Sequence, residues 1–144
     1  MGHTTEKGMT MIEIMIVIAI MAILVSVAIP AYANYQTRAK IAEGLNVASA
    51  AVTAVSLHQI ETNQWPADNV QAGLADTIET SHVRDIQVSS NGQIVVTIKN
   101  EVTKTADDKT FKLTPSLSPT GNINWRCDPP GTLNPDVLPG QCRA

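Results

Sequence analysis

A continuous apolar segment near the N-terminus constrains this chain more than any other feature. From Met9 to Ile29 the sequence reads MTMIEIMIVIAIMAILVSVAI, and Glu13 is the only charged residue in it. A helix needs about 20 apolar residues to cross a bilayer. Because the apolar side chains occupy every face rather than one stripe, such a helix belongs in lipid or in the centre of a large assembly.

Three interpretations of this segment are open. The first is a membrane anchor. The second is a secretory signal peptide, because residues 31–33 (Ala-Tyr-Ala) have the small residues that precede a cleavage site and Lys7 provides a weakly basic start. The third is an anchor that is cleaved on its cytoplasmic side, after Gly8. Composition alone favours the first two.

Glu13 adds a functional hypothesis to these interpretations. A carboxylate inside an apolar span is costly unless it is paired or reaches the interface, so an intramembrane charge points to function by default. The alternative is that Glu13 lies close enough to the end of the span to place its carboxylate among the lipid headgroups.

The residues around Glu13 resemble the prepilin cleavage and methylation signature of type IV pilins. The resemblance runs from Gly8 (GMTMIEIMIVIAI) through residues 28–32 (AIPAY) to Tyr35 and Arg38. In that family a prepilin peptidase cuts after the glycine and methylates the new terminal amine. The resemblance therefore implies a leader peptide over residues 1–8, cleavage between Gly8 and Met9, and N-methylation of Met9.

The same resemblance implies a partner for Glu13. Cleavage would leave a positive amine on Met9, and pairing offsets much of the cost of burying two charges. The amine of one subunit against Glu13 of its neighbour would also set the axial stagger of helices that otherwise slide at little cost. Two residues depart from the family pattern: Met9 stands where Phe is usual, and Ala22 where many members have a glycine.

A helix is predicted to continue beyond Pro30. Proline removes a backbone donor and clashes with the preceding turn, so Pro30 predicts a kink. Apolar residues then recur at spacings of four and three, which indicates an amphipathic helix; they are Ile41, Leu45, Ala48, Val52 and Val55. Trp65-Pro66 ends it, because the residue before a proline avoids the helical region. The predicted ranges are a transmembrane or filament-core helix over 9–33 and a head helix over 34–64.

Within the head helix, Gly44 is predicted to be a weak point, because glycine costs about 1 kcal/mol relative to alanine in a helix. Two further histidines follow the leader. His58 falls in the helix and His82 in the predicted loop. Without convergent partners we interpret both as ordinary histidines rather than metal ligands.

The rest of the head, residues 34–144 in all, is predicted to contain a loop over 65–82 and an antiparallel sheet over 83–127. Asn91-Gly92 between alternating strands is a strong hairpin signal. The alternating apolar residues of the four strands are Ile86 and Val88; Ile94, Val96 and Ile98; Phe111, Leu113 and Leu117; Ile123, Trp125 and Cys127. The fold class is therefore α+β: a long N-terminal helix, half of it exposed and apolar, packs against about four antiparallel strands, followed by a C-terminal disulfide loop.

Cys127 and Cys142 enclose a segment rich in proline and glycine, DPPGTLNPDVLPGQ. A bridge over the loop 127–142 would hold a tail that has no core of its own, and closing about 15 residues contributes roughly 3 kcal/mol. Zinc is the competing interpretation, but no further Cys or nearby His could complete four ligands. A disulfide places the head outside the cytoplasm, where such bridges form.

Composition and motifs exclude several function classes. The formal net charge is −3, and the head beyond Ala31 has nine basic and eleven acidic residues, so DNA binding is possible but unsupported by charge. No phosphate-binding loop, nucleophile elbow or zinc-protease motif is present. We therefore expect no enzyme, no cofactor and no metal.

These observations predict a structural subunit of a type IV pilus. The resemblance implies that the subunit inserts in the inner membrane with a periplasmic head, polymerises with copies of itself into a surface pilus, and depends on prepilin peptidase and inner-membrane assembly machinery. Adhesion, twitching motility and DNA uptake are the implied roles. The alternatives are a type II secretion pseudopilin, a minor pilin acting as a binding module, and a secreted protein released after Ala33.

Overall fold

The computed structural model describes residues 8–103, 108–128, 133, 137–138 and 140–142. The chain divides into two compact units, Met1–Asn34 and Tyr35–Ala144. The leader prediction falls, apart from Gly8, outside the described residues.

The first unit consists of the beginning of helix α1, which spans Met11–Thr62. The helix is uninterrupted at Pro30. Residues 8–32 are all exposed, so the apolar side chains of this stretch have no protein surface covering them. The hydroxyl of Ser26 donates back to the helix, to the Ile23 carbonyl at 2.7 Å. Within the described residues, α1 is the helix long and apolar enough to cross a membrane.

In the second unit, α1 packs its buried side against the sheet. The buried helix residues are Ile41, Gly44, Ala48, Ala51, Val55 and Gln59. Of the predicted stripe, Ile41, Ala48 and Val55 are confirmed as buried, whereas Leu45 and Val52 are partly buried. Gly44 and Ala51, which the predicted stripe did not include, are buried as well.

Gly44 shows how close this approach is. A Cβ atom at this position would lie 2.9 Å from Ile98 Cδ1 and 3.3 Å from Val83 Cγ2. The prediction for Gly44 was only that it is a weak point of the helix. Its lack of a side chain is what allows the helix backbone to lie against two strands.

The four-stranded antiparallel sheet is confirmed, in the order β1-β2-β3-β4. The strands are β1 Val83–Ser89, β2 Gln93–Ile98, β3 Lys109–Leu117 and β4 Ile123–Asp128. A short helix that the sequence did not predict, α2 Asn100–Thr103, separates β2 from β3. Alternate strand residues face α1 and form the core; those most completely buried are Val83, Ile86, Ile94, Val96, Ile98 and Phe111.

The predicted Asn-Gly hairpin between β1 and β2 is confirmed. Asn91 and Gly92 both have positive φ angles, 73° and 70°, which favour these residue types. Gly92 is also closely covered, because a Cβ atom there would lie 2.7 Å from Trp65 Cε3. The indole of Trp65 thus packs directly on the hairpin turn.

Asn69, in the loop after α1, organises the free edge of β1. The side chain is 2% exposed. Its Oδ1 accepts a hydrogen bond from the Val88 amide at 2.6 Å, and its Nδ2 donates to the Ile86 carbonyl at 2.8 Å. The same Nδ2 lies 3.2 Å from the carbonyl oxygens of Ala75 and Asp76. The Asn69 side chain therefore makes hydrogen bonds that a neighbouring strand would otherwise make. No pattern in the sequence predicted this role.

The predicted disulfide is confirmed: Cys127 and Cys142 are bonded, with their Cα atoms 4.9 Å apart. Leu133 and Leu138, within the loop, are buried in the same hydrophobic cluster as the sheet and helix. These described residues of the tail therefore pack into the core of the head, which the sequence did not predict. The bridge and these two leucines together attach the tail to the head.

Replacing Cys142 with serine is expected to reduce the free energy of unfolding by about 3 kcal/mol, because the unfolded chain loses a closed loop of this size. Limited proteolysis should show earlier cleavage in the tail, and urea unfolding should give the change in stability. Reduction of the unchanged protein is the control and should reproduce the effect. Equal protease resistance of the oxidised and serine forms would show that Leu133 and Leu138 hold the tail without the bridge.

Candidate functional site

The candidate assembly site lies where the chain enters α1. Gly8, Met9 and Thr10 precede the helix and are exposed and non-helical. Thr10 is the residue before the first helical position, and Glu13 is the third residue of the helix. The predicted scissile bond and the single charge of the apolar segment thus belong to the same short stretch.

Thr10 and Glu13 form a capping box. The Thr10 amide and hydroxyl both donate to Glu13 Oε2, at 2.7 and 2.8 Å, and the Glu13 amide lies 3.4 Å from Thr10 Oγ1. The first amides of a helix have no partner within it, and this reciprocal arrangement satisfies two of them. The family resemblance implied a partner for Glu13 only on another subunit. The Thr-x-x-Glu spacing before an apolar run was the signal that could have revealed Thr10.

The other predicted site residues do not join this cluster. Pro30 lies further along α1, and the cysteine pair belongs to the head. Among the residues described, no group of three or more His, Cys, Asp or Glu is arranged to hold a metal ion. His82 instead pairs with Glu43, at 2.8 Å between Nδ1 and Oε2.

A polar network lies on the outer face of the head sheet, around Asp128. Gln93 Nε2 donates to Thr114 Oγ1 at 2.9 Å, and that hydroxyl donates to Asp128 Oδ2 at 2.5 Å. Arg126 Nε donates to Asp128 Oδ1 at 2.8 Å. The Thr114 hydrogen bond, with further help from Arg126 and Lys112, holds the pKa of Asp128 below its ordinary value of 3.8 against the opposing effect of desolvation.

This lowered pKa predicts an acid-dependent loss of head stability. Because Asp128 binds its proton less readily when folded, its contribution is complete above the ordinary pKa of 3.8 and is lost as the pH falls through the lower folded value. Urea unfolding of the head from neutral pH down through this range should show the decline. In Asp128→Asn the decline should be smaller, and in Thr114→Val the Asp128 pKa should rise in an NMR titration. An Asp128 titration that Thr114→Val leaves unchanged would contradict the assigned cause.

Comparison with known proteins identifies the class. Residues 37–143 match the family described as pilin (bacterial filament), and residues 4–29 match the prokaryotic N-terminal methylation motif. The exposed apolar helix and the head are therefore two parts of a bacterial filament subunit. The chain belongs to the pilin family, and its function is that of a structural subunit of a type IV pilus. The general roles of this family include adhesion and motility.

Relatives of similar length support this assignment. The chain is 38% identical over 142 residues to the fimbrial protein EcpC of Eikenella corrodens, covering 96% of this chain and 91% of that protein. It is 36% identical over 135 residues to the type IV major pilin protein PilE of Neisseria gonorrhoeae, covering 92% and 80%. A fimbrial protein of Neisseria meningitidis is 34% identical over 144 residues, covering 94% and 84%. The resemblance drawn from the sequence is confirmed.

Proposed function

We propose that the subunit matures by cleavage between Gly8 and Met9, followed by methylation of the Met9 amine by prepilin peptidase. The methylation motif matched over residues 4–29 supports this processing. The bond also lies in an exposed, non-helical stretch, which a peptidase can bind without first unwinding a helix.

The first part of α1 then holds the subunit in the inner membrane, with the head in the periplasm. Two features support this location. Residues 8–32 are exposed and almost entirely apolar, and the head contains a disulfide, which is typical of compartments outside the cytoplasm. After assembly the same head lies on the extracellular surface of the pilus.

Assembly moves the apolar helix from lipid into a bundle of identical helices. Lipid is as apolar as leucine, so this exchange is nearly neutral in hydrophobic free energy. The Met9 amine of one subunit and Glu13 of its neighbour then select the correct stagger. The observation that carries this proposal is a single carboxylate at the start of an exposed apolar helix.

The capping box gives Glu13 a partner before assembly. In the membrane a carboxylate without hydrogen bonds is costly, and Thr10 provides two donors to one of its oxygens. Inner-membrane assembly machinery would build the pilus from copies of this subunit. The pilus would serve adhesion, twitching motility and DNA uptake. Because the head carries more acidic than basic residues, we assign DNA uptake to the machinery rather than to direct binding by the head.

The decisive experiment combines electron microscopy of sheared surface filaments with mass spectrometry of their subunits. We expect filaments whose subunit begins with N-methylated Met9. A soluble product that begins at Asn34 would instead support secretion after a signal peptide. An intact Met1 in the filaments would contradict the proposed cleavage.

A further inference from the structure

The hairpin turn between β1 and β2 contains the one Asn-Gly pair of the sequence, Asn91-Gly92. An asparagine followed by glycine loses its side-chain amide readily, because glycine has no side chain to hinder attack by its main-chain nitrogen. Asn91 is exposed, whereas Gly92 is buried. The turn therefore combines a reactive dipeptide with a glycine that the head covers.

Loss of the amide proceeds through a cyclic imide. The main-chain nitrogen of Gly92 gives up its proton and bonds to Asn91 Cγ, and the Cγ–Nδ2 bond breaks, so that Nδ2 leaves as ammonia with that proton. Water then opens the ring by adding its hydroxyl to a ring carbonyl carbon and its hydrogen to the nitrogen. Opening at Cγ gives aspartate, and opening at the main-chain carbonyl gives isoaspartate. Water is the only co-reactant, and nothing is oxidised or reduced.

The observed conformation of the turn keeps the reacting atoms apart. Ring closure requires the Gly92 nitrogen and Asn91 Cβ to lie on the same side of the bond between Cα and the carbonyl carbon. At Asn91 φ is 73° and ψ is 20°, and in an L-residue this ψ places the following nitrogen nearly opposite Cβ. The peptide between the two residues must therefore rotate before the reaction, and this rotation moves Gly92.

Contacts on both sides of the turn oppose that rotation. A Cβ atom on Gly92 would lie 2.7 Å from Trp65 Cε3 and 3.1 Å from Val55 Cγ1, so the glycine lies directly against the indole. At the ends of the strands Ser89 pairs with Gln93, and Ser89 Oγ donates to the Gln93 carbonyl at 3.2 Å. The peptide can rotate only when the turn moves away from Trp65.

We propose that Asn91 is a modification site that converts to aspartate and isoaspartate when the turn opens, and that Trp65 sets the rate of this conversion. The reaction proceeds from the open state, so its rate follows the free energy of local opening. Isoaspartate routes the main chain through Cβ and adds a negative charge, which moves Gln93 out of its pairing with Ser89. Trp65, which the sequence indicated only as the end of a helix, thus preserves the register of the hairpin.

Ageing of the full chain in detergent at mildly alkaline pH tests this assignment. Peptide mapping by mass spectrometry locates the conversion of amide to acid, and an isoaspartate-specific methyltransferase measures the isomer. Conversion at Asn91 should be at least about tenfold faster in Trp65→Ala than in the unchanged chain, because a loss of about 1.4 kcal/mol in the opening free energy gives a factor of ten. The unchanged chain unfolded in urea should convert faster than either folded form.

The matched control is Trp125→Ala, which removes the only other tryptophan of the chain. Trp125 is partly buried like Trp65, but it lies on β4, two strands away from β2. Its loss should leave conversion at Asn91 close to that of the unchanged chain. Equal acceleration in both alanine variants would overturn the proposal, because it would assign the conversion to general unfolding. A folded, unchanged chain that converts as fast as the chain in urea would also overturn it.

A pair of phenylalanine variants covers the case in which Trp65→Ala does not form the native disulfide. Trp65→Phe keeps a smaller ring against Gly92, so conversion at Asn91 should rise less than in the alanine variant but should still exceed that of the unchanged chain. Trp125→Phe should cause no rise. Identical rates in the two phenylalanine variants would refute the control of the turn by Trp65.

Discussion

Replacement of Glu13 with alanine is expected to abolish filaments while leaving the head folded. In the proposed assembly the Met9 amine of the adjacent subunit is buried against this carboxylate. Removing one partner of a buried ion pair leaves an uncompensated charge, at a cost of about 3–5 kcal/mol. That cost recurs at every subunit, and the helices also lose the interaction that selects their stagger. Filament yield in sheared fractions, counted by electron microscopy, is the measurement.

Two controls separate the charge of Glu13 from its capping role. Glu13→Gln keeps an oxygen that can accept the Thr10 hydrogen bonds but removes the charge, so it should also fail to assemble. Thr10→Ser keeps the capping hydroxyl and should assemble normally. Head folding is followed by the formation of the native disulfide and by protease resistance. Abundant, regularly ordered fibres from the alanine variant would contradict the proposed pair.

Replacement of Asn69 with alanine is expected to destabilise the head more than any other substitution outside the hydrophobic core. The change removes hydrogen bonds to four backbone groups, and the Val88 amide and Ile86 carbonyl are left without this partner in a buried position. A single buried polar group left unsatisfied costs about 1–3 kcal/mol. With two such groups we expect the free energy of unfolding, measured with urea, to fall by about 3 kcal/mol or more.

The matched control is Asn46→Ala, because Asn46 is exposed on α1. It makes the same chemical change and should alter stability by less than about 0.5 kcal/mol. Hydrogen exchange at the Val88 amide provides a local measurement, since it should become faster in the Asn69 variant alone. If both variants unfold at the same urea concentration, Asn69 does not hold the edge of β1 as described.

Local patterns were sufficient to predict most elements of the fold. The length of the apolar segment predicted the first half of α1, and apolar spacings of three and four predicted the second half. The four antiparallel strands follow from alternation, and the Asn91-Gly92 turn follows from a dipeptide that favours positive φ. Each of these depends on neighbouring residues only. Helix α2 was missed because four residues are too few to establish a period.

The assembly site was only partly predictable. The position of Glu13 within an apolar segment was evident, because a charge in that environment stands out in any reading of the sequence. The capping contribution of Thr10 was also encoded in local spacing, although it was not recognised. The pairing of Glu13 with the amine of another subunit and the role of the Gly8–Met9 bond remain proposals, since both concern molecules other than this chain.

The sequence by itself determined that one half of α1 must lie in lipid or among other helices, because no arrangement of the remaining chain could cover so many apolar residues. Only the tertiary structure decided that Gly44 lies within the buried side of the other half, since the close approach there depends on two distant strands. The same holds for Asn69, whose partners lie 17 and 19 residues away, and for the leucines of the tail. Local periodicity reports which face of an element is apolar, whereas packing distance and the partners of buried polar groups arise only when distant segments meet.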